Sequence, residues 1–180
     1  MSIIRALRTF GTRHIDDLPR IRCVAVRGGA TLQRTESGPI EYSYFKWSRR
    51  DAVTLGATWL DPEAQPLWEA YALLCAVSTW ARTITSHLGR LVLHGDAQGV
   101  LQAVCRRRAK EPRLNLVVAE IQLHLGAGIH DLSGLHFWSE ENGVCDALSR
   151  RSEGAALPQE LVNATFVEPV VPDTWALLHR

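Results

Sequence analysis

The segment RLVLHGDAQGVLQAVCRRRAK, residues 90–110, changes its period midway. RLVLHG is a short apolar run of strand length, whereas DAQGVLQAV spaces its apolar residues as a helix does. A strand therefore runs directly into a helix, with Asp96 at the junction. An acid there has two readings: a helix N-cap, a position Asp favours, or a residue at a strand end, where mixed α/β folds gather their ligands.

Upstream, DPEAQPLWEAYALLCAVSTWARTITSHLG predicts one long helix with Asp61 as N-cap, Pro62 in the first turn and Gly89 as its end. Leu67, Ala70, Leu74, Val77, Ala81 and Ile84 recur at three- and four-residue spacing and mark its buried stripe. Before it, RIRCVAVRGGATLQR and IEYSYFKW, separated by turn-forming TESGP, predict an antiparallel meander of two or three strands. Downstream, PRLNLVVAEIQLHLG predicts a helix closed by Gly126, GIHDLSGLHFW a strand or loop, and ENGVCDALSR a short helix. The alternation implies a sheet with antiparallel and parallel parts, covered by helices.

The chain of 180 residues suits one domain with flanking material. Residues 1–20 read as a lead-in containing a possible short helix, 21–150 as the domain, and 151–180, with Pro158, Pro169 and Pro172, as an extended tail. A net charge of +1 means that any nucleic-acid or membrane affinity must come from a local patch. The run CRRRAKEPR supplies one candidate, Arg106, Arg107, Arg108, Lys110 and Arg113. It reads equally as a phosphate-contacting surface or as a solvated helix end whose cations favour the helix dipole. Cys23, Cys75, Cys105 and Cys145 lack zinc-site spacing and suit isolated thiols in a reducing compartment. The N-terminus lacks a signal peptide's apolar run, and no segment approaches the roughly 20 apolar residues of a membrane helix. The expectation is a soluble intracellular protein, cytoplasmic or nuclear, with no membrane partner.

Three carboxylates occupy positions from which a magnesium site could be built: Glu69, Asp96 and Asp146. Each has an ordinary reading as well. Glu69 could be a solvated helix residue, Asp96 an N-cap, and Asp146 a surface acid paired with Arg150 at i,i+4.

Together, their contexts resemble the ribonuclease H domain of retrotransposon reverse transcriptase polyproteins. PLWEAYALLCAVSTWA resembles the family helix that carries a catalytic Glu, and VLHGDAQGVLQAV the segment that carries a catalytic Asp. HFWSEENGVCDALSR is similar to the family ending with His, a central Asn and Ala-Asp-Ala-Leu-Ser-Arg; His136, Asn142, Asp146 and Ala147 to Arg150 keep its register, with Cys145 in the first Ala position. The resemblance implies a ribonuclease H-like α/β fold, a mixed five-stranded sheet flanked by helices. It also implies hydrolysis of the RNA strand of RNA/DNA hybrids by two-metal catalysis with Mg2+ or Mn2+, Glu69, Asp96 and Asp146 being catalytic and metal-binding, and an adjacent polymerase domain as partner.

Two features depart from the pattern. Alignment on GGATL puts Arg22 where the family carries a first-strand Asp, and Trp138-Ser139 replace a Pro-Gly. A guanidinium about 4 Å from a divalent ion is opposed by roughly 8 kcal/mol at an effective dielectric of about 20. The chain therefore reads as a degenerate copy, impaired in catalysis. The alternatives are a catalytically inactive nucleic-acid-binding or polymerase-connection domain, and an unrelated α/β interaction domain whose acids do not converge.

Overall fold

The computed structural model describes residues 20–24, 29–33, 38–59, 61–86, 89–126, 129–136, 143–151 and 154–172. The lead-in helix expected before residue 20 and the loop around Trp138 lie outside the described residues. Strands β1 (Arg20–Val24), β2 (Gly29–Gln33) and β3 (Ile40–Tyr44) form the antiparallel meander. β4 (Gly89–Gly95) pairs parallel to β1, and β5 (Ile129–His136) parallel to β4. The parallel pairs require crossovers, and the intervening helices supply them. The mixed α/β architecture, with its five strands β1 to β5 flanked by helices, agrees with the expectation; among the described residues a sixth strand adds to the edge, in the order β5-β4-β1-β2-β3-β6. The sixth is β6 (Thr165–Phe166), a two-residue strand from the tail, parallel to β3. An apolar and β-branched stretch between prolines is enough to occupy an open sheet edge.

The long helix is divided. Asp61 caps only a 3-10 turn, Pro62–Ala64, by accepting the Glu63 N–H; α2 (Gln65–Thr79) follows, with Pro66 in its first turn, where a missing N–H costs nothing. Ser78 and Thr79 then donate their hydroxyls to the carbonyls of Leu74 and Cys75, four residues back, which loosens the helix end. Trp80 leaves helical geometry and α3 (Ala81–Ser86) starts afresh. Gly89 opens β4 instead of ending a helix. A short helix the sequence pattern does not announce, α1 (Arg49–Thr54), follows β3, capped reciprocally by Ser48 and Asp51. The remaining helices are α4 (Gln98–Cys105), α5 (Pro112–Leu125) and α6 (Gly143–Ser149).

Alternation along β2 separates the two faces of the sheet. Ala30 and Leu32 join the core with Leu67, Ala70, Leu74 and Val77 of α2, Val104 of α4 and Val117 and Ile121 of α5. Thr31 instead meets Cys145 of α6 on the opposite face. Gly29 admits α6 there: a Cβ at Gly29 would lie 2.5 Å from the Cys145 carbonyl oxygen and 2.8 Å from the Leu148 Cβ. Among the described residues Cys75, Cys105 and Cys145 are unbridged. No described helix is long and apolar enough to cross a membrane.

Candidate functional site

β4 runs out at Gly95 and α4 begins at Gln98, so Asp96 stands at the carboxyl end of a central strand. It is not the N-cap. That position falls to Ala97, and no side chain caps the helix. α2 packs across β1 and β2 and against α4 and α5, and brings Glu69 to the same end of the sheet. An aromatic cluster fixes the start of α2: Trp47 lies against Phe45, Trp68 and Tyr71, and Trp59 meets Trp68 edge-on.

Glu69 and Asp96 line one cavity of about 20 Å³, together with Leu73, His94, Val100 and Leu101. The largely apolar walls and the nearby Asp96 charge both disfavour ionisation of Glu69, burial being the greater cause, and its pKa is pushed up to about 7. Its Oε1 accepts a hydrogen bond of 3.1 Å from Gln65 Nε2, one turn earlier. Its Oε2 is buried and, among the described residues, has no hydrogen-bond partner. A buried carboxylate oxygen without a donor is costly. Two neighbouring oxygen ligands, one of them orphaned, suit a hard divalent cation such as Mg2+ or Mn2+.

Asp146 is placed differently. It lies on α6, which packs on β1, β2 and β3, and its Oδ2 accepts from Arg150 Nη2 at 2.6 Å, both side chains being about half exposed. It does not line the cavity of Glu69 and Asp96. Among the described residues no three His, Cys, Asp or Glu side chains are grouped to hold a metal ion. Among the described residues Glu69 and Asp96 fit one cation held on two carboxylates. The central strand explains part of this, since β1 reads RIRCV and contains no acid. Its parallel register sets Arg22 beside His94 and Cys23 beside Gly95, so Val24 continues to the level of Asp96.

His136, at the end of β5, donates from Nε2 to the Asp96 carbonyl at 3.0 Å and ties the β4–α4 turn to the neighbouring strand. Neither this bond nor the flanking His94 was apparent from sequence. Gln65 could have been found, because it stands at i−4 from Glu69.

The basic run forms the turn from α4 to α5. Arg107 adopts a left-handed conformation, φ 56°, while its N–H and that of Arg108 bond the carbonyls of Val104 and Ala103. This is a Schellman ending in which Arg fills the place usually given to glycine, at a cost of about 1–2 kcal/mol. Ala109 N–H donates to Asn115 Oδ1, and Glu111 caps α5. Burial works to raise the Glu111 carboxyl, but the Leu114 N–H and Arg113 outweigh it and hold the group below its ordinary range. Arg106, Arg107, Arg108 and Lys110 are exposed. Arg113 is engaged, bonding Glu111 and the Gly56 carbonyl beyond α1.

No protein-family model matches the chain, and no curated protein matches it in sequence. Solved structures match it in fold. RNase H1 from the halophilic archaeon Halobacterium salinarum NRC-1 is 17% identical, with a TM-score of 0.50 over 76% of this chain and 99% of that one. The N-terminal RNase H domain of a Mycobacterium tuberculosis protein, solved as a fusion with maltose-binding protein, is 14% identical, with a TM-score of 0.50 over 72% of this chain and 95% of that one. The chain has a ribonuclease H-like fold.

Proposed function

We propose that the chain is a ribonuclease H-like domain of a retroelement reverse transcriptase, descended from an enzyme that hydrolyses the RNA strand of RNA/DNA hybrids and impaired in that step. The observation that carries this reading is the pairing of Glu69 and Asp96 in one cavity, with the Glu69 Oε2 buried and, among the described residues, unsatisfied. A structural carboxylate would be expected to have a donor there; a cation ligand would not. The sequence motifs around both acids, and solved neighbours described as an RNase H1 and an RNase H domain, support the same ancestry. The substrate class is RNA/DNA hybrid, the cofactor Mg2+ or Mn2+, and the partner an adjacent polymerase domain.

Glu69 and Asp96 would hold the cation, Gln65 orients the Glu69 carboxylate, and His136 steadies the backbone of Asp96. A bound divalent ion would lower the pKa of water and stabilise the leaving oxygen. The acid-free β1 and the Asp146–Arg150 ion pair account for impairment, since a second metal position lacks its carboxylates. The same two observations favour a second reading, a domain that binds hybrid or contacts the polymerase without cleaving.

The test is cleavage of a labelled hybrid in Mg2+ and in Mn2+ by the native chain, Arg22→Asp and Val24→Asp. The sequence pattern indicates position 22 and the strand register position 24. Slow native cleavage, abolished by Glu69→Gln and accelerated by one of the new acids, is expected. Hybrid binding with no cleavage by any folded variant establishes the second reading. No hybrid binding at all overturns both.

A further inference from the structure

The α4–α5 turn is not the chain's sole concentration of positive charge. Lys46, Arg49 and Arg50, in the stretch KWSRR that follows β3 and enters the first turn of α1, are exposed. KWSRR and RRRAK together hold seven of the chain's 20 Lys and Arg in ten residues without an acid, although the whole chain carries only +1. Clustering on that scale gives a local field that the average charge conceals. Among the described residues none of the seven has an ion pair, whereas Arg113 and Arg150 each have one.

The two runs are joined in space. Arg113, three residues beyond Lys110, donates from Nη1 to the carbonyl of Gly56, just past the end of α1, and from Nε to Glu111 at 3.0 Å. Gly56 has φ +61°, a conformation that turns the chain sharply after α1, and the Arg113 side chain passes close to it. α1 rises about 1.5 Å per residue, so its six residues set Arg49 roughly 9 Å from that junction. One strand of a duplex advances about 3.4 Å per phosphate along its axis, and that length passes about three phosphates. Trp47 lies against Trp68 and Tyr71 of α2 and anchors the KWSRR segment beside the helix that bears Glu69.

We propose that Lys46, Arg49 and Arg50 are a second nucleic-acid contact, continuous with Arg106, Arg107, Arg108 and Lys110, and that Arg113 is the strut that holds the two basic runs as one track for a phosphate backbone. The track rests on the hybrid-binding reading above and deepens it: its reader is the sugar-phosphate backbone, without regard to sequence. The left-handed Arg107 is consistent with it, because a basic side chain is kept where glycine would relieve the backbone.

The experiment measures binding of a short fluorescein-labelled RNA/DNA hybrid, and of the same RNA single-stranded, by anisotropy in EDTA across a salt series. Native chain is compared with Lys46→Gln/Arg49→Gln/Arg50→Gln and with Arg106→Gln/Arg107→Gln/Arg108→Gln/Lys110→Gln. Circular dichroism checks that each folds, which the exposure of all seven side chains leads us to expect. Each lost phosphate contact flattens the slope of log affinity against log salt by about 0.9 on a duplex. The triple variant should flatten it by between about 1 and 3, with roughly tenfold or greater weakening at low salt. An unchanged slope in the triple variant beside a flattened one in the quadruple variant overturns the continuous track and leaves hybrid binding standing. Tighter binding to single-stranded RNA, with both variants flattened, upholds the track and overturns the hybrid as its substrate. A native chain that binds neither probe overturns both.

Discussion

Glu69 sits one residue from the buried Trp68 and one turn from Gln65, and its carboxyl retains a proton to about pH 7 against an ordinary 4.5. Burial and the Asp96 charge cause this, so between those two pH values the folded chain holds a proton the unfolded chain has released. Stability from this group is present in full below about pH 4.5 and is lost as pH rises through 7. Glu69→Gln should therefore flatten the fall in melting temperature between pH 5 and pH 8 in metal-free buffer, and raise the melting temperature at pH 8 by a few degrees. It should also abolish Mn2+ binding measured by electron paramagnetic resonance, while the native chain binds more tightly above pH 7 than at pH 5.5. An equal slope in both proteins, or unaltered Mn2+ binding, would remove Glu69 from the site. At this scale the sequence was informative about residue type and uninformative about company. It pointed to Glu69, Asp96 and Asp146 as a set, whereas the fold gathers the first two and pairs the third with Arg150. The i,i+4 spacing of Asp146 and Arg150 offered that ion pair as the ordinary reading, and it is the one the fold forms.

At the level of elements, what could be read followed the strength of the local signal. The strand-to-helix junction at Asp96 and the helix closed by Gly126 stood out because apolar period and terminating residue agree. α1 escaped notice because its apolar content is low and its definition comes from the reciprocal Ser48–Asp51 cap. The break at Trp80 escaped because hydroxyl bonds to Leu74 and Cys75 leave no mark on hydrophobic period. Nothing in the apolar pattern gives Gly29 a packing role, yet the structure sets α6 directly against it. A methyl there would press on the Cys145 carbonyl, the Ser149 nitrogen and the Leu148 Cβ, two of them backbone atoms that cannot rotate away. Gly29→Ala should destabilise the chain by about 1–3 kcal/mol in urea unfolding, since overpacking at a fixed contact costs that much. Thr31→Ser, on the same face beside Cys145, should cost less than half as much. A neutral Gly29→Ala would mean that α6 does not pack where the structure sets it.

For the whole molecule, the expected pattern of helices around a mixed sheet agrees with the fold, but the sheet does not end where a domain reading of 21–150 would end it. β6 pairs with β3 through Glu41 and Tyr42, and the Val167 N–H continues the pairing to the Tyr42 carbonyl. Phe166 packs against both Tyr42 and Tyr44, Leu161 is buried, and the Val170 N–H reaches Thr79 at the end of α2. Proline content marked this segment as extended and concealed that it covers an edge. An uncovered edge strand offers free N–H and C=O groups to another chain. Ending the chain after Leu157 should thus lower stability by roughly 2–3 kcal/mol, mostly from the loss of Leu161 burial and of the contacts of the half-exposed Phe166 ring with Tyr42 and Tyr44, and should drive association through β3. Thermal unfolding would report the first effect and size-exclusion chromatography with light scattering the second. Adding Tyr42→Lys to the truncated chain should suppress association without restoring stability, because a charge on the edge opposes pairing but replaces none of the lost apolar contact. A truncated chain that stays monomeric with an unchanged melting temperature would show that the tail is no part of the folded unit.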